Sequence, residues 1–294
     1  MKNILNYYYK IIVDDNRIDD NGYFSYNNHL FCLYEYKRNI NEIDALDYLN
    51  KVMLSKRISI NKIVNNVFNN VITFHDNKNY CLIAVNYEYY KSANIKFIPS
   101  FPNKELDILK RNNWGKLWSI KIDYVEYQLL HLKNSYPIIN SSINYYIGLA
   151  ENAISYFNML DLSNVGLYIS HRRINNKNIY NPLELVIDYK VRDIAEYLKI
   201  NFFNRNMSIY EIKNYVDKLN LENIDYILLY VRMLFPSYYF DIYEEIINEN
   251  KNELEINKII ELSDSYEELL YEIYSLFKRK VNMLGIDWIN RKFM

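Results

Sequence analysis

The first ninety residues alternate between apolar and polar positions in short runs, a pattern that predicts β-strands. Three such runs, separated by turns rich in Asp and Asn, are Tyr7–Val13, Tyr23–Tyr26 and His29–Tyr36. From Asn41 the apolar residues of NEIDALDYLNKVML recur at helical spacing, which predicts one amphipathic helix. Two further strands, VFNNVITFHD and KNYCLIAVNYEYY, follow with DNKN as their hairpin turn. This order predicts a small sheet that carries one helix.

Beyond about residue 103 the pattern is almost entirely helical. Residues 104–132 and 140–159 are amphipathic, and Ser141 or Ser142 is a candidate N-cap for the second segment. Residues 166–188 interrupt the helices with two short strand-like pieces, GLYIS and LELVID. Helical patterns resume after this interruption and continue through the rest of the chain.

The two patterns together predict an α+β, protein-kinase-like, two-lobed fold. The small β-rich N-lobe is expected at residues 1–92 and the larger, mostly α-helical C-lobe at residues 93–294. A hairpin that resembles a kinase catalytic loop is expected at residues 166–190, among the helices.

Net charge and hydropathy exclude several classes of partner. The 294 residues carry a formal net charge of −1, so no overall electrostatic argument favours nucleic acid or an anionic membrane. No run approaches the ~18 apolar residues of a membrane span, and the N-terminal segment lacks a small-residue cleavage site. We therefore expect a cytoplasmic protein without nucleic-acid or membrane partners, or one attached to a structure assembled in the cytoplasm.

Tyrosine is the unusual feature of the composition, at 32 residues against 5 glycines. Abundant Tyr, Asn, Ile and Lys is what an AT-rich genome encodes; the alternative is a tyrosine surface that serves cross-linking or adhesion. The two cysteines, Cys32 and Cys81, both lie in apolar strand-like runs. They are predicted to be buried thiols and not part of a disulfide framework or a metal cluster.

The segment from His171 to Tyr197 has the arrangement of a kinase catalytic loop followed by a metal-binding aspartate. Kinase loops of the form His-x-Asp-x-x-x-x-Asn supply a general base and a magnesium ligand. His171 and Asn178 have this spacing, but the base position is Arg173. A guanidinium stays protonated at physiological pH and cannot accept the proton of an alcohol.

Four segments are distinctive in combination: WGKLWSIKIDYVEYQLL, SINYYIGLAENAISYF, ISHRRI and VIDYKVRDIAEYLK. Together they resemble the bacterial spore-coat kinase-like family, the CotS-like group and most closely its YutH type. The first two are similar to the first two helices of the family's large lobe, ISHRRI to its catalytic loop, and the last to its Asp-containing strand and the helix that follows. The resemblance covers residues ~110–200 well, the C-terminal third loosely and the first ninety residues only by the order of their elements. It implies the fold of aminoglycoside and choline phosphotransferases and an association with the spore coat, with other spore-coat proteins as partners.

A phosphotransferase of this fold would use ATP and Mg²⁺ as cofactors, with the metal held by an Asn and an Asp. Asp188, at the end of the strand LELVI, occupies the position of the metal-binding Asp, although Asp is also common in strand-end turns. Asn178 matches the second ligand by spacing, but asparagines are frequent in this segment, so a chance match remains open.

The N-lobe gives weaker indications of nucleotide binding. Lys37, at the end of a predicted strand, is the candidate lysine for the ATP phosphates, with Glu42 or Asp44 as its possible partner. A lysine at a strand end can equally be a solvated surface residue. Only Gly22 falls within the first 110 residues, so the glycine-rich loop that covers the phosphates in kinases is missing.

The remaining charged residues of the loop have structural alternatives. Arg172 and Arg173 either pair with carboxylates such as Asp188 or Asp193 and rigidify the loop, or they hold an anion. Asp193, in the first turn of a helix, is expected to be structural, because the helix dipole favours an acidic side chain there. His171 is expected to be a packed, hydrogen-bonded anchor of the loop.

These observations predict a spore-coat-associated pseudokinase that acts as a structural or interaction component. The alternative is an active ATP-dependent small-molecule phosphotransferase, of the aminoglycoside or choline kinase type, with a non-standard catalytic loop. A third hypothesis is a sensor that binds an anionic metabolite at Arg172 and Arg173 without turnover.

Overall fold

The computed structural model describes residues 1–86, 88, 106–132, 135–174, 178–249 and 251–293. The chain divides into two compact units. The first contains Met1–Lys110 and Ile169–Ile187, and the second contains Arg111–Tyr168 and Asp188–Met294. The boundary predicted at residues 92 and 93 lies outside the described residues.

The first unit is built on an antiparallel sheet with strand order β1-β2-β5-β3, to which β4 is added by pairing with β5. The strands are β1 Tyr23–Tyr26, β2 His29–Glu35, β3 Lys62–Val64, β4 Thr73–His75 and β5 Lys78–Val85. The sequence predicted β1 and β2 almost to the residue, and the hairpin between β4 and β5 turns at Asp76 and Asn77, inside the predicted DNKN. The predicted end of the last strand, at Tyr90, lies outside the described residues.

Two helices pack against this sheet, α1 at Lys2–Tyr9 and α2 at Ile43–Ser55. The strand predicted at Tyr7–Val13 is wrong, because α1 occupies its first half. Ile4 and Leu5 of α1 are buried in a cluster with Leu33 and Leu82 of the sheet. This burial outweighs the strand preference of the three consecutive tyrosines. The helix ends at Tyr9, and the next residue, Lys10, caps it with a left-handed φ of 56°.

The other face of the sheet carries Cys32 and Cys81, both buried and both free, as predicted. Their strands are neighbours, since Cys32 pairs with Ile83 and Tyr34 pairs with Cys81. Asn50 of α2 links its helix to the sheet. Its amide donates to the Asn61 carbonyl and accepts from the Ile63 N–H. The helix is thereby held at the start of β3.

A two-stranded hairpin, β6 at Leu167–His171 and β7 at Leu185–Tyr189, follows the first long helices, as predicted. Most of it belongs to the first unit. The Asn61 N–H donates to the Tyr180 carbonyl at 3.0 Å, and a bridge between Lys110 and Ile187 adds a second connection.

The second unit is helical in its described residues, apart from the ends of the hairpin strands. Its helices are α3 Trp114–Leu132, α4 Pro137–Asn158, α5 Arg192–Phe203, α6 Ile209–Asp217, α7 Asn223–Leu234, α8 Ser237–Glu249, α9 Asn257–Ile260, α10 Ser263–Phe277 and α11 Asp287–Phe293. The N-cap predicted at Ser141 or Ser142 is wrong. The helix begins at Pro137, whose fixed φ suits the first helical position.

Large aromatic side chains fill the core of the second unit. Tyr146 of α4 stacks on Tyr239 of α8, and Trp118 stacks on Phe235 with ring centroids 4.4 Å apart. The small sheet and the helical remainder agree with the predicted α+β class. Among helices in the described part of the chain, none has the length and apolar character needed to cross a membrane.

Candidate functional site

Asp188 is the residue on which metal binding was predicted to depend, and its side chain is completely buried, with 0% exposure. It stands at the end of β7, one residue before the strand ends. Both carboxylate oxygens accept from the indole N–H of Trp114, at 2.9 and 3.0 Å. The Tyr189 N–H donates to Oδ1 at 2.7 Å. The carboxylate is therefore held by neutral donors within the second unit.

Arg192 completes the surroundings of Asp188. It lies in the first turn of α5, four residues further along the chain, and its guanidinium forms a buried ion pair with Oδ2. Between them, Trp114, Tyr189 and Arg192 direct donors at both oxygens. A carboxylate accepts about four hydrogen bonds, and the contacts made here occupy that capacity.

Trp114, which donates to this carboxylate, is itself packed in a cluster of aromatic rings. The ring is fully buried and packs against Trp118, Phe157 and Tyr189, with centroids between 5.2 and 5.4 Å away. On α7, the guanidinium of Arg232 lies 4.9 Å from the centre of the Trp114 ring. A cation against an indole face is favourable, more so when both are desolvated.

A second buried ion pair extends this cluster along α5. Arg232 donates to Oε1 of Glu196 from Nε at 3.0 Å and from Nη2 at 2.8 Å. Lys199, one helical turn beyond Glu196, donates to the Phe235 carbonyl and to Ser237. The helix aligns residues 192, 196 and 199, and together with Asp188 of β7 they form a series of buried charges, each paired with a neighbour.

The electrostatics of Asp188 follow from this geometry. Burial raises the pKa of the carboxyl group, while the charges of Arg192 and Arg232 and the hydrogen bond from Trp114 oppose that shift. A buried carboxylate must be solvated, paired or metal-bound, and this one is paired.

These contacts do not fit a magnesium ion at Asp188. Magnesium binds oxygen ligands in near-octahedral geometry at about 2.0–2.1 Å and usually retains several waters. Here an indole and a guanidinium occupy the space around the oxygens. Within the described residues, no group of three or more His, Cys, Asp or Glu side chains is arranged to hold a metal.

In the loop of the hairpin, His171 is buried, and Arg172 and Arg173 are exposed to solvent. His171 is buried, and its Nε2 lies 3.0 Å from the Ile179 carbonyl oxygen. Asn178, the predicted second metal ligand, donates from its side-chain amide to the Arg173 carbonyl at 2.7 Å. This amide is therefore engaged in closing the loop on itself. Asp193 is buried in the first turn of α5.

Arg172 and Arg173 are exposed, and Arg173 donates to the Arg172 carbonyl at 3.0 Å. The Arg172 N–H donates to the Glu184 carbonyl across the hairpin. Burial raises the pKa of Tyr36 to about 12, and the charges of Arg38 and Arg172 oppose this shift. Arg172 is thus close enough to the end of β2 to act on it electrostatically.

Glu42, the acidic partner proposed for Lys37, instead pairs with Arg38, the residue that follows Lys37. Arg38 forms a buried ion pair with Glu42, with Nε 2.7 Å from Oε2. The same guanidinium donates to the carbonyls of Leu183 and Leu185, at 2.7 and 2.9 Å. Lys37 itself is exposed and makes no ion pair with any described residue. Its assignment to the ATP phosphates stays a prediction.

Gly22 is required for a close backbone approach. Its φ is +85°, and a Cβ atom at this position would lie 2.5 Å from the Leu33 carbonyl oxygen. The Leu33 N–H donates to the Gly22 carbonyl at 3.0 Å. This glycine therefore packs the chain that precedes β1 against β2.

Sequence reasoning missed the buried ion-pair residues Arg38 in the first unit and Glu196 and Arg232 in the second unit. A signal existed for Arg38, because it stands four residues before Glu42 at the start of a helix. Nothing local marks Arg232 as the partner of Glu196, since the two are 36 residues apart. Trp114 was noted only for its similarity to a family helix, and its role as a donor to Asp188 depends on a contact across 74 residues.

The sequence comparisons identify relatives among spore-coat proteins. Residues 2–273 match the family described as "Spore coat putative kinase YutH". The endospore coat-associated protein YutH of Bacillus subtilis (strain 168) is 25% identical over 208 residues. The match covers 60% of this chain and 61% of that protein's length.

Solved structures with a similar fold are antibiotic phosphotransferases. An aminoglycoside phosphotransferase from Alicyclobacillus acidocaldarius subsp. acidocaldarius DSM 446 superposes with a TM-score of 0.58 at 9% identity, covering 90% of this chain and 95% of that one. A spectinomycin phosphotransferase in complex with ADP and spectinomycin has a TM-score of 0.58 at 12% identity, covering 94% and 97%. At such identities the likeness shows the fold alone.

The similarity to the spore-coat family, noted above for four segments, thus extends over most of the chain. The solved structures confirm the kinase-like architecture. The chain belongs to the YutH family of spore-coat kinase-like proteins and has the fold of the aminoglycoside phosphotransferases.

Proposed function

We propose that this chain is a pseudokinase, a spore-coat-associated protein that uses a kinase-like scaffold for structure or interaction and does not transfer phosphate. The observation that carries the proposal is the state of Asp188. The carboxylate at the metal-ligand position is fully buried and accepts from Trp114, Tyr189 and Arg192. Binding a metal there would require breaking a buried ion pair, which costs ~3–5 kcal/mol when one partner is left without the other.

The base position of the catalytic loop supports the same conclusion. Arg173 stands where kinases of this type have an aspartate, and its side chain is exposed and cationic. General-base catalysis contributes typically ~10²–10⁴ to the rate, and an arginine supplies none of it.

The features of the first unit that bear on phosphate binding also support the pseudokinase proposal. Gly22 packs against Leu33, so its lack of a side chain serves backbone packing. The segment between α1 and β1 carries Asp14, Asp15, Asp19 and Asp20 against Lys10 and Arg17, a negative balance that disfavours phosphate. Glu42, the acidic partner expected for a phosphate lysine, is paired with Arg38.

The location and partners are part of the proposal. A relative is named for its association with the endospore coat. By similarity, we propose that this chain is made in the cytoplasm and deposited on the spore coat, where it binds other spore-coat proteins through its surface.

The test is binding of ATP with and without Mg²⁺, measured by calorimetry and by thermal shift, with spectinomycin phosphotransferase as the positive control. We expect no magnesium-dependent rise in Tm, because a ligand stabilises only in proportion to its affinity for the folded state. We also expect no turnover of ATP with small alcohol-bearing acceptors.

The alternative, an active small-molecule phosphotransferase, is favoured by the fold that this chain shares with such enzymes. It predicts magnesium-dependent ATP binding that is lost in Asn178→Ala, a variant at a half-buried loop position that is expected to fold. That result would refute the pseudokinase proposal. Stabilisation by phosphate or nucleotide without Mg²⁺, lost in Arg172→Gln or Arg173→Gln, would instead support an anion sensor.

A further inference from the structure

A cleft of about 370 Å³ opens on the face of the five-stranded sheet that α1 covers in part. Its floor consists of Phe31, Leu82 and Val64, which lie on the neighbouring strands β2, β5 and β3. The register places them on one face, since Leu82 pairs with both Leu33 and Val64. The volume falls at the lower end of the ~300–1,000 Å³ typical of small-molecule pockets.

One wall of the cleft is held in place by a chain of buried and partly buried hydrogen bonds. Tyr9 shares a hydrogen bond with the Thr73 hydroxyl at 2.9 Å, and the Asn66 amide donates to the same hydroxyl at 3.1 Å. The side-chain Oδ1 of Asn66 accepts from the backbone N–H groups of Phe68 and Asn70. Because these polar groups satisfy one another, the wall is formed before any ligand binds.

The opposite rim offers hydrogen-bonding groups that have no partner among the residues that the structure describes. Tyr26, Asn27 and His29 line the cleft at the turn between β1 and β2. Within the part of the chain that the structure describes, their side chains form no hydrogen bond with protein. Phe31 lies beside them, with its ring stacked on Phe24 at 5.7 Å. The rim therefore combines flat aromatic surfaces with both donors and acceptors.

The lining also limits the charge of a ligand. Its described residues are aromatic, aliphatic or amide-bearing, and none is Asp, Glu, Lys or Arg. While the His29 imidazole is neutral, an ionised ligand would lose hydration here without gaining a charged partner. A planar ligand would stack on the rings, and its polar edge would meet the Asn27 amide, which donates and accepts in the manner of amides that recognise base edges.

We propose that this cleft binds a small, uncharged, planar aromatic molecule that carries both hydrogen-bond donors and acceptors. The site lies wholly within the first unit. None of Asp188, Lys37 and Glu42 lines it, so the proposal does not depend on whether the chain transfers phosphate.

The first test uses protein-observed NMR on the full chain with adenine and benzamide as neutral probes and benzoate as a charged probe of benzamide's shape. Saturable shifts are expected at the amides of Phe31 and Leu82, with a Kd on the order of 1 mM for ligands of this size. Benzoate is expected to bind at least several-fold more weakly. Absence of saturable shifts with both neutral probes, or equal affinity for benzoate and benzamide, would overturn the proposal.

Matched variants locate the site. Asn27 and Asn28 both have left-handed backbones, with φ of 48° and 62°, so glycine is tolerated at either position. Only Asn27 lines the cleft. Asn27→Gly should weaken benzamide binding several-fold, and Asn28→Gly should leave it unchanged. Equal affinities in the two variants would contradict the assigned role of the amide.

A second pair of variants tests the site by adding a large side chain at two exposed positions, of which one lines the cleft. Val67 lines it and is 48% exposed, while Phe68 is 57% exposed and does not line it. Val67→Trp should abolish binding of both neutral probes, whereas Phe68→Trp should retain it. Retained binding in Val67→Trp would show that the probes bind elsewhere and would overturn the site.

Discussion

Asp188 is the residue at which metal binding and structural pairing predict opposite effects of the same substitution. A buried carboxylate that serves as a metal ligand destabilises the metal-free protein, because without the metal its charge has no partner. A carboxylate that is already paired stabilises it. The indole of Trp114 and the guanidinium of Arg192 place Asp188 in the second category.

Asp188→Asn should therefore lower the free energy of unfolding by ~3–5 kcal/mol, because Arg192 is left buried without its partner. Urea denaturation measures this directly. Asp123→Asn, at an exposed carboxylate on α3, is the control and should change stability by less than ~0.5 kcal/mol. Unchanged or increased stability in Asp188→Asn would contradict the structural pairing.

The glycines provide a second test at the scale of single residues. Gly22→Ala should destabilise the protein by ~1–3 kcal/mol, because its φ is positive and the added Cβ would meet the Leu33 carbonyl. Gly148→Ala should stabilise it by ~0.5–1 kcal/mol, because Gly148 is helical and nothing lies within 4 Å of the new atom. Thermal unfolding of both variants gives the comparison. If Gly22→Ala is neutral, the close approach to β2 is not required.

At the scale of elements, the hairpin of β6 and β7 depends on a side chain from outside it. Arg38 bonds the carbonyls at the end of the hairpin loop and is itself held by Glu42. The predicted strands β1 and β2 and the helix α2 appeared where their apolar spacing indicated. The strand predicted at Tyr7–Val13 did not, because residues 4 and 5 of α1 find a buried partner surface on the sheet.

Arg38→Gln should loosen the hairpin without unfolding the chain. Charge-assisted hydrogen bonds are worth ~1.5–3 kcal/mol, so amide exchange in the hairpin should accelerate roughly tenfold to a hundredfold. The Arg172 N–H, bonded to the Glu184 carbonyl, is a suitable probe for hydrogen-exchange NMR. Lys37→Gln is the matched control and should leave exchange unchanged. Equal acceleration in both variants would refute the anchoring role of Arg38.

At the scale of the whole molecule, the tyrosines form much of the core and are not simply a surface. Fourteen tyrosines among the described residues have a raised pKa, in each case chiefly because they are buried. For Tyr9, Tyr36 and Tyr243 the value is about 12. Whatever produced the high tyrosine content, the fold now relies on it for packing.

The protein should therefore be sensitive to alkali. The unfolded chain ionises its tyrosines near pH 10, while the buried phenols of the folded state keep their protons to higher pH. Between about pH 10 and 12 the unfolded state binds fewer protons, so stability present below pH 10 falls by ~1.4 kcal/mol per pH unit for each such tyrosine. Urea denaturation at several pH values, with tyrosinate absorbance at 295 nm, measures both effects. Full titration near pH 10 with the fold intact would contradict the prediction.

The sequence by itself determined the α+β class and the positions of β1, β2 and α2, because apolar spacing is a local property. It did not predict α1 or β3, and the assignment of Arg173 to the base position stays a prediction. Only the tertiary structure decided how the charged residues are used. Trp114 reaches Asp188 across 74 residues and Arg232 reaches Glu196 across 36. Residue type shows that a buried charge needs a partner, but the identity of that partner depends on which helices and strands pack together.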